Sequence, residues 1–169
     1  MAVARQLWLL RHADAEPHGT RPDAERRLTG RGRRQAEIAG RALAQIGVSF
    51  GQTLSSPKAR ARETAELALA RMGKEQSPEL ELHDPLAGGL QARQALDALD
   101  AAGREGWEGP ILLVGHEPDL SGIAGDLTGG RVDLKKGGLA VVRLAGAGGE
   151  LVLLLRPAEL ALIAGVALL

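Results

Sequence analysis

Hydrophobic positions in this chain come in short bursts, each closed by a polar break, with longer amphipathic stretches between them. Leu7-Trp8-Leu9-Leu10 and Ile111-Leu112-Leu113-Val114 are unbroken apolar runs, the pattern of strands buried on both faces. Thr53-Leu54-Ser55 and Leu80–Leu82 read as shorter strands. Between the bursts the apolar period lengthens to that of a helix. Ala36, Ile38, Ala39, Ala42, Leu43 and Ile46 form a stripe that opens after Thr29, an N-cap, and closes at Gly47, a C-cap. A second helix is predicted from Pro57, with Ala61, Ala65, Ala68 and Leu69 carrying it towards Gly73. Two more follow, over Leu90–Ala102 and over Pro118–Leu127, the latter stopped by Gly129-Gly130. Leu139–Leu144 and Leu151–Leu155 are strands around the Gly-rich turn Ala145–Gly149, and a last helix starts near Pro157. Strands alternating with helices predict one α/β domain over residues 1–169, a three-layer α/β/α sandwich with a mostly parallel central sheet.

Composition narrows the function. Aromatic residues are 2 % of the chain, so the core is built from Leu, Val, Ile and Ala. The absence of cysteine excludes disulfides, thiol catalysis and Cys-ligated zinc, and suits a reducing cytoplasm. Lys plus Arg equals Asp plus Glu, 21 against 21, which argues against general nucleic-acid binding. No run approaches the ~20 apolar residues of a membrane span. The apolar start Gln6–Leu10 is too short for a signal-peptide core. A cytoplasmic protein without membrane or nucleic-acid partners is expected.

The chemistry lies where strands end. In open α/β sheets, ligands bind beyond the carboxyl ends of the strands. Here the first strand delivers Arg11-His12, the second Ser56-Pro57-Lys58-Ala59-Arg60, and the fourth Gly115-His116-Glu117-Pro118. If those strands are parallel neighbours, two histidines and at least two arginines converge on one edge. Arginine forks bind phosphate oxygens in pairs, and a histidine among them can attack phosphorus to form a phosphoenzyme. The cations disfavour imidazolium, keep His12 nucleophilic and stabilise the phosphoryl group in flight. Neither metal nor cofactor is called for.

Four stretches then resemble a known family: Leu9-Leu10-Arg11-His12-Ala13, Leu28-Thr29-x-x-Gly32-x-x-Gln35-Ala36, Ser56-Pro57-x-x-Arg60-Ala61-x-x-Thr64-Ala65, and Val114-Gly115-His116-x-Pro118. Their order is similar to that of the histidine phosphatase, or phosphoglycerate mutase-like, superfamily, and within it to the small phosphohistidine phosphatases of the SixA type. The resemblance implies a phosphoglycerate mutase-like fold, His12 as nucleophile, and Arg11, Arg60 and His116 around the phosphate. Ser56 is a further substrate-binding candidate, equally readable as the start of a helix. The family's Arg-His-Gly reads Arg-His-Ala here, and Ala13 restricts the backbone if positive φ is required. No spacing selects a general acid among Glu79, Glu81 and Asp84.

The short connections leave no room for a large lid, which favours phosphohistidine displayed on a protein over an enclosed small phosphorylated metabolite. The alternatives are a small-molecule phosphatase, a phosphoglycerate mutase-like enzyme, and a catalytically silent phosphate-binding module. Arg31, Arg33 and Arg34 read as a solvated helix face, His18 and His83 as solvated loop residues, and Lys135-Lys136 as a plain turn, with approach to substrate as the alternative. Arg60 has an alternative partner in Glu63 or Glu66 on its own helix. A monomer is favoured, although Pro157–Leu169 is apolar enough to pack on the domain or meet another copy.

Overall fold

The computed structural model describes residues 5–106 and 109–168; Leu169, the last residue of the apolar tail, lies outside them. Six strands form one sheet: β1 (Gln6–Arg11), β2 (Gln52–Ser55), β3 (Leu80–Leu82), β4 (Ile111–Gly115), β5 (Leu139–Ala145) and β6 (Gly148–Leu155). Their order is β3-β2-β4-β1-β5-β6. The first four are mutually parallel, while β5 runs antiparallel to both of its neighbours, β1 and β6. The sheet is therefore mostly parallel, and β1, β4 and β2 are adjacent, with Arg11 level with Gly115 and Ser55 level with Val114.

The unbroken apolar runs face two ways because strand side chains alternate. Leu7 and Leu9 of β1, with Ile111 and Leu113 of β4, face α3 (Ala92–Arg104) and α4 (Asp119–Thr128). Trp8 and Leu10, with Leu112 and Val114, face α1 (Gly30–Ile46), α2 (Ala59–Met72) and α5 (Pro157–Ala164). Two cores thus sandwich the sheet, and the three-layer expectation holds.

Helix ends follow local chemistry. Thr29 Oγ1 accepts the Gly32 amide 3.0 Å away, and Gly47 adopts the left-handed conformation after α1. The second helix departs from expectation: it begins at Ala59, with Lys58 as its N-cap, rather than at Pro57. The Ser56 amide is still bonded to Val114 O in the sheet, so the chain needs Pro57-Lys58 to turn into the helix. The Gly-rich connection between β5 and β6 is a tight hairpin, with Gly146 at φ +58°. In α5, Leu160 and Ala161 are buried, whereas Leu162 is 80 % exposed.

Both edges of the sheet are managed. At one, β3 has three residues. At the other, β6 exposes Leu151, Val152 and Leu154, and its register against β5 slips between Val141 and Val142.

The α1–α2 contact is set by Gly40. A Cβ there would lie 2.1 Å from the backbone oxygen of Ala68, which is held within α2. We expect Gly40→Ala to destabilise the protein by about 1–3 kcal/mol, the usual cost of overpacking. Denaturant titration checks this: an unchanged midpoint would show that the helices separate freely.

Candidate active site

Strand ends place the two histidines side by side. The His12 amide donates to Gly115 O (2.9 Å), which pins the residue after β1 to the end of β4. His116 follows β4 directly, and the two imidazole centroids are 5.1 Å apart. The amide of Gly137 donates to the carbonyls of both Arg11 and His12, so the 135–138 turn braces the segment from the other side.

His12 Nδ1 lies 2.8 Å from Ala13 O. A carbonyl only accepts, so Nδ1 carries the proton and the neutral ring keeps its lone pair on Nε2. Burial, with help from Arg60, Arg11 and Lys136, lowers the His12 pKa from 6.5 to about 4 against the opposing bond to Ala13. Burial, neighbouring His12 and Arg60 lower that of His116 to about 3. Both rings are neutral at neutral pH. His116 Nε2 sits 2.7 Å from the Ser56 hydroxyl, whose oxygen also accepts the Lys58 amide.

Ala13 fits without strain. No non-glycine residue has positive φ among the described residues, and Ala13 is fully buried against Leu28 and Ala36. Its amide donates to Thr64 Oγ1, which in turn donates to Arg60 O. The stretches read from sequence as separate motifs are therefore wired to one another.

Arg11 Nη1 donates to Leu134 O, and Arg60 Nη1 donates to Asp23 O. Arg60 reaches Asp23, across 37 residues, rather than Glu63 or Glu66. Glu63 instead accepts the Leu28 amide. Arg26 also lines the pocket, buried to 7 % exposure, with its guanidinium on Asp23 and on Glu16 O. One carboxylate, Asp23, thus gathers Arg26, Arg60 and Lys58, and bonding to Lys58 and Arg26 holds it well below the usual carboxylate range. Sequence reading missed both Asp23 and Arg26. Their i,i+3 spacing was the available signal, but nothing local shows that the pair is buried.

The pocket holds about 250 Å³ and includes Arg11, His12, Arg26, Arg60, His116 and Lys136. Lys136 is thus more than a turn residue: it pairs with Asp14 at 3.3 Å and lines the same pocket as His12. His18 stands at the mouth, its side chain 86 % exposed, while His83 precedes a short 3-10 turn elsewhere. Ser56 is fully buried behind His116 and does not line the pocket. Nor do Glu79, Glu81 or Asp84. Glu81 takes a bond from Gln52, at the opposite end of the sheet. The pocket's carboxylates are Glu16, committed to Arg21 and the Arg27 amide, and Glu117, which accepts the Ser121 amide.

Three buried nitrogens around this hollow, Arg11 Nε, Arg60 Nε and His116 Nδ1, have no hydrogen-bond partner among the described residues. An unmade buried bond costs ~1–3 kcal/mol, so these pocket residues carry polar atoms that the protein itself does not satisfy, His116 Nδ1 being a donor in the tautomer whose Nε2 accepts the Ser56 hydroxyl.

The sequence pattern of the histidine phosphatase superfamily (branch 1) matches residues 7–107. The chain belongs to that superfamily. An uncharacterized protein of Picosynechococcus sp. is 35 % identical over 148 residues, 82 % of this chain and 84 % of its own length. Among solved structures, the protein histidine phosphatase SixA complexed with tungstate superposes with a TM-score of 0.80 at 23 % identity, over 92 % of this chain and 99 % of SixA. Phosphoglycerate mutase from Bacillus anthracis matches at 0.76 with 13 % identity, over 97 % and 98 % of the two chains, and shares the fold. This histidine phosphatase superfamily member thus has a phosphoglycerate mutase-like α/β fold and resembles SixA across nearly its whole length.

The depressed histidine pKa fixes an acid limb. Protonation of His12 would take up the Nε2 lone pair, and its low pKa defers that loss to below about pH 4. We expect kcat/KM, corrected for the substrate's own ionisation, to stay within about twofold between pH 7 and pH 5. A histidine titrating at its ordinary value would lose roughly 30-fold. A pH–rate series decides; an inflection near 6.5 would refute a neutral, buried His12.

Proposed function

We propose that this chain is a phosphatase working through a phosphohistidine on His12, with protein phosphohistidine as its preferred substrate and no requirement for metal. The observation that carries this is the convergence of Arg11, Arg26, Arg60, His116 and Lys136 on one pocket with His12, whose Nε2 keeps its lone pair. A phosphoryl group held by Arg11, Arg60 and His116 presents phosphorus to that lone pair. Nε2 attacks in line, the bond to the leaving group breaks, and the leaving group departs with its electron pair. Water then attacks phosphorus, the Nε2–P bond breaks, and inorganic phosphate leaves with His12 regenerated. Arg11, Arg26, Arg60 and Lys136 supply the positive charge that a metal would otherwise provide. A neighbour solved with tungstate, itself a tetrahedral oxyanion, supports the reading of the hollow as an oxyanion site.

The choice of phosphohistidine rests on proton supply. Each pocket carboxylate has an oxygen engaged by a backbone amide, so neither stands out as a dedicated proton donor to an alkoxide. Imidazole is a far better leaving group and needs less assistance. The small hollow, with exposed His18 at its mouth, also suits a group presented from a surface.

Hydrolysis of a phosphohistidine protein should exceed that of sugar phosphates, in the presence or absence of EDTA. Rapid quench should trap acid-labile phosphate on His12. Faster turnover of the sugars would assign a small-molecule substrate, and dependence on a bisphosphate primer would assign a mutase. Absence of both a burst and turnover would leave a binding module.

A further inference from the structure

A second hollow of about 500 Å³ adjoins the catalytic one and shares Lys136 with it. Its walls carry Arg31, Lys135, Lys136 and Arg156, all exposed, and one lining carboxylate, Asp14. Lys136 is tied to Asp14, Lys135 to Asp133 and Arg156 to Glu159, but Arg31 has no ion-pair partner among the described residues. The first turns of α1 and α5 both border the groove, through Arg31 and through Pro157-Ala158, adding the positive ends of two helices. Its apolar floor includes Pro157 and Leu168. Three of these four cations already face a carboxylate, so the unmatched positive charge of the groove is that of Arg31.

We infer that this groove is the docking site for an acidic stretch of polypeptide flanking the phosphorylated residue of a protein substrate. The inference rests on the proposed action upon a phosphoprotein. A groove about twice the volume of the catalytic hollow, continuous with it through Lys136, accommodates several residues of chain. The cationic walls select Asp and Glu side chains, and the apolar floor receives their methylenes and backbone. Lys136 lies at the junction, where it meets the phosphoryl group on one side and the first flanking carboxylate on the other.

The test compares two phosphohistidine peptides of equal length, one with Asp and Glu flanks and one with Asn and Gln at the same positions. Binding is measured on His12→Ala, which does not turn them over, and hydrolysis on the active enzyme. The acidic peptide should bind about tenfold more tightly, with a preference that shrinks as salt rises. The double variant Arg31→Glu/Arg156→Glu, at residues that line this groove and not the catalytic pocket, should erase that preference while p-nitrophenyl phosphate turnover stays within about twofold of wild type. Equal affinity for the two peptides overturns the groove assignment, whatever the hydrolysis rates. So does a parallel loss of p-nitrophenyl phosphate turnover in the double variant, which would make the groove part of the catalytic pocket's support. So does selectivity for a small bisphosphate over the acidic peptide. Charge-selective binding with hydrolysis of neither peptide would keep the groove and refute the phosphohistidine reading instead.

Discussion

His12→Ala is expected to lower kcat by on the order of 10⁴-fold or more, the scale seen when a covalent nucleophile is deleted. The loss should leave the fold intact. His12 is held through its main chain, by the amide bond to Gly115 O and the Gly137 amide on its own carbonyl, and alanine keeps both. Its ring faces polar groups and its neighbour His116 rather than either hydrophobic core. The variant should therefore unfold near the wild-type midpoint and still bind phosphate or tungstate, because the arginines remain. Parallel measurements of single-turnover rate, thermal midpoint and oxyanion affinity separate these effects. Near wild-type turnover would mean that phosphoryl transfer bypasses this imidazole.

Arg60→Ala should act on both kinetic constants, raising KM and lowering kcat, with kcat/KM down by roughly 10²–10³-fold. Arg60 is 5 % exposed and lines the pocket beside His12, so under the proposed mechanism it holds the phosphoryl oxygens before and during transfer. Its removal also leaves Asp23 with a smaller set of cations. That carboxylate, now less balanced, sits nearer in effect to the incoming anion. Asp23→Asn supplies the contrast. It keeps the side-chain volume and relaxes Arg26, Arg60 and Lys58 at once, so affinity should fall without the full loss in turnover. If Arg60→Ala changed KM alone, the guanidinium would serve binding and not the transition state.

Much of this architecture was readable from residues because of how parallel sheets are made. Leu7–Leu10 and Ile111–Val114 must be apolar on every position, since helices cover both faces, and each run stops where chemistry starts. Adjacency of β1, β4 and β2 then carries Arg11, His12, His116 and the start of α2 to one edge. The same rule explains why Glu79 and Glu81 stay away. Glu79 precedes β3, and Glu81, at its middle, takes a bond from Gln52 at the start of β2, so both lie away from the strand ends that build the site. Asp23 and Arg26 were illegible for a different reason. They open and close a single 3-10 turn too short to show a period, and their meaning comes from Arg60 and Lys58, 37 and 35 residues from Asp23. Lys136 is similar: a turn lysine becomes a pocket residue only once the 135–138 segment folds across Arg11 and His12. Ser56 shows how one hydroxyl can satisfy two readings. It receives the Lys58 amide as the chain enters α2 and at the same time touches His116.

The misaligned stretch of β6 has a bearing on shelf life. A flush outer strand bearing Leu151, Val152 and Leu154 would be a ready template on which further molecules could stack, sheet to sheet. The extra residue beside Val141 and Val142 bends that border and breaks the ladder a newcomer would need to copy. Trimming it away, for instance by deleting Val152, should turn a clear concentrated stock cloudy before any loss of catalysis is seen.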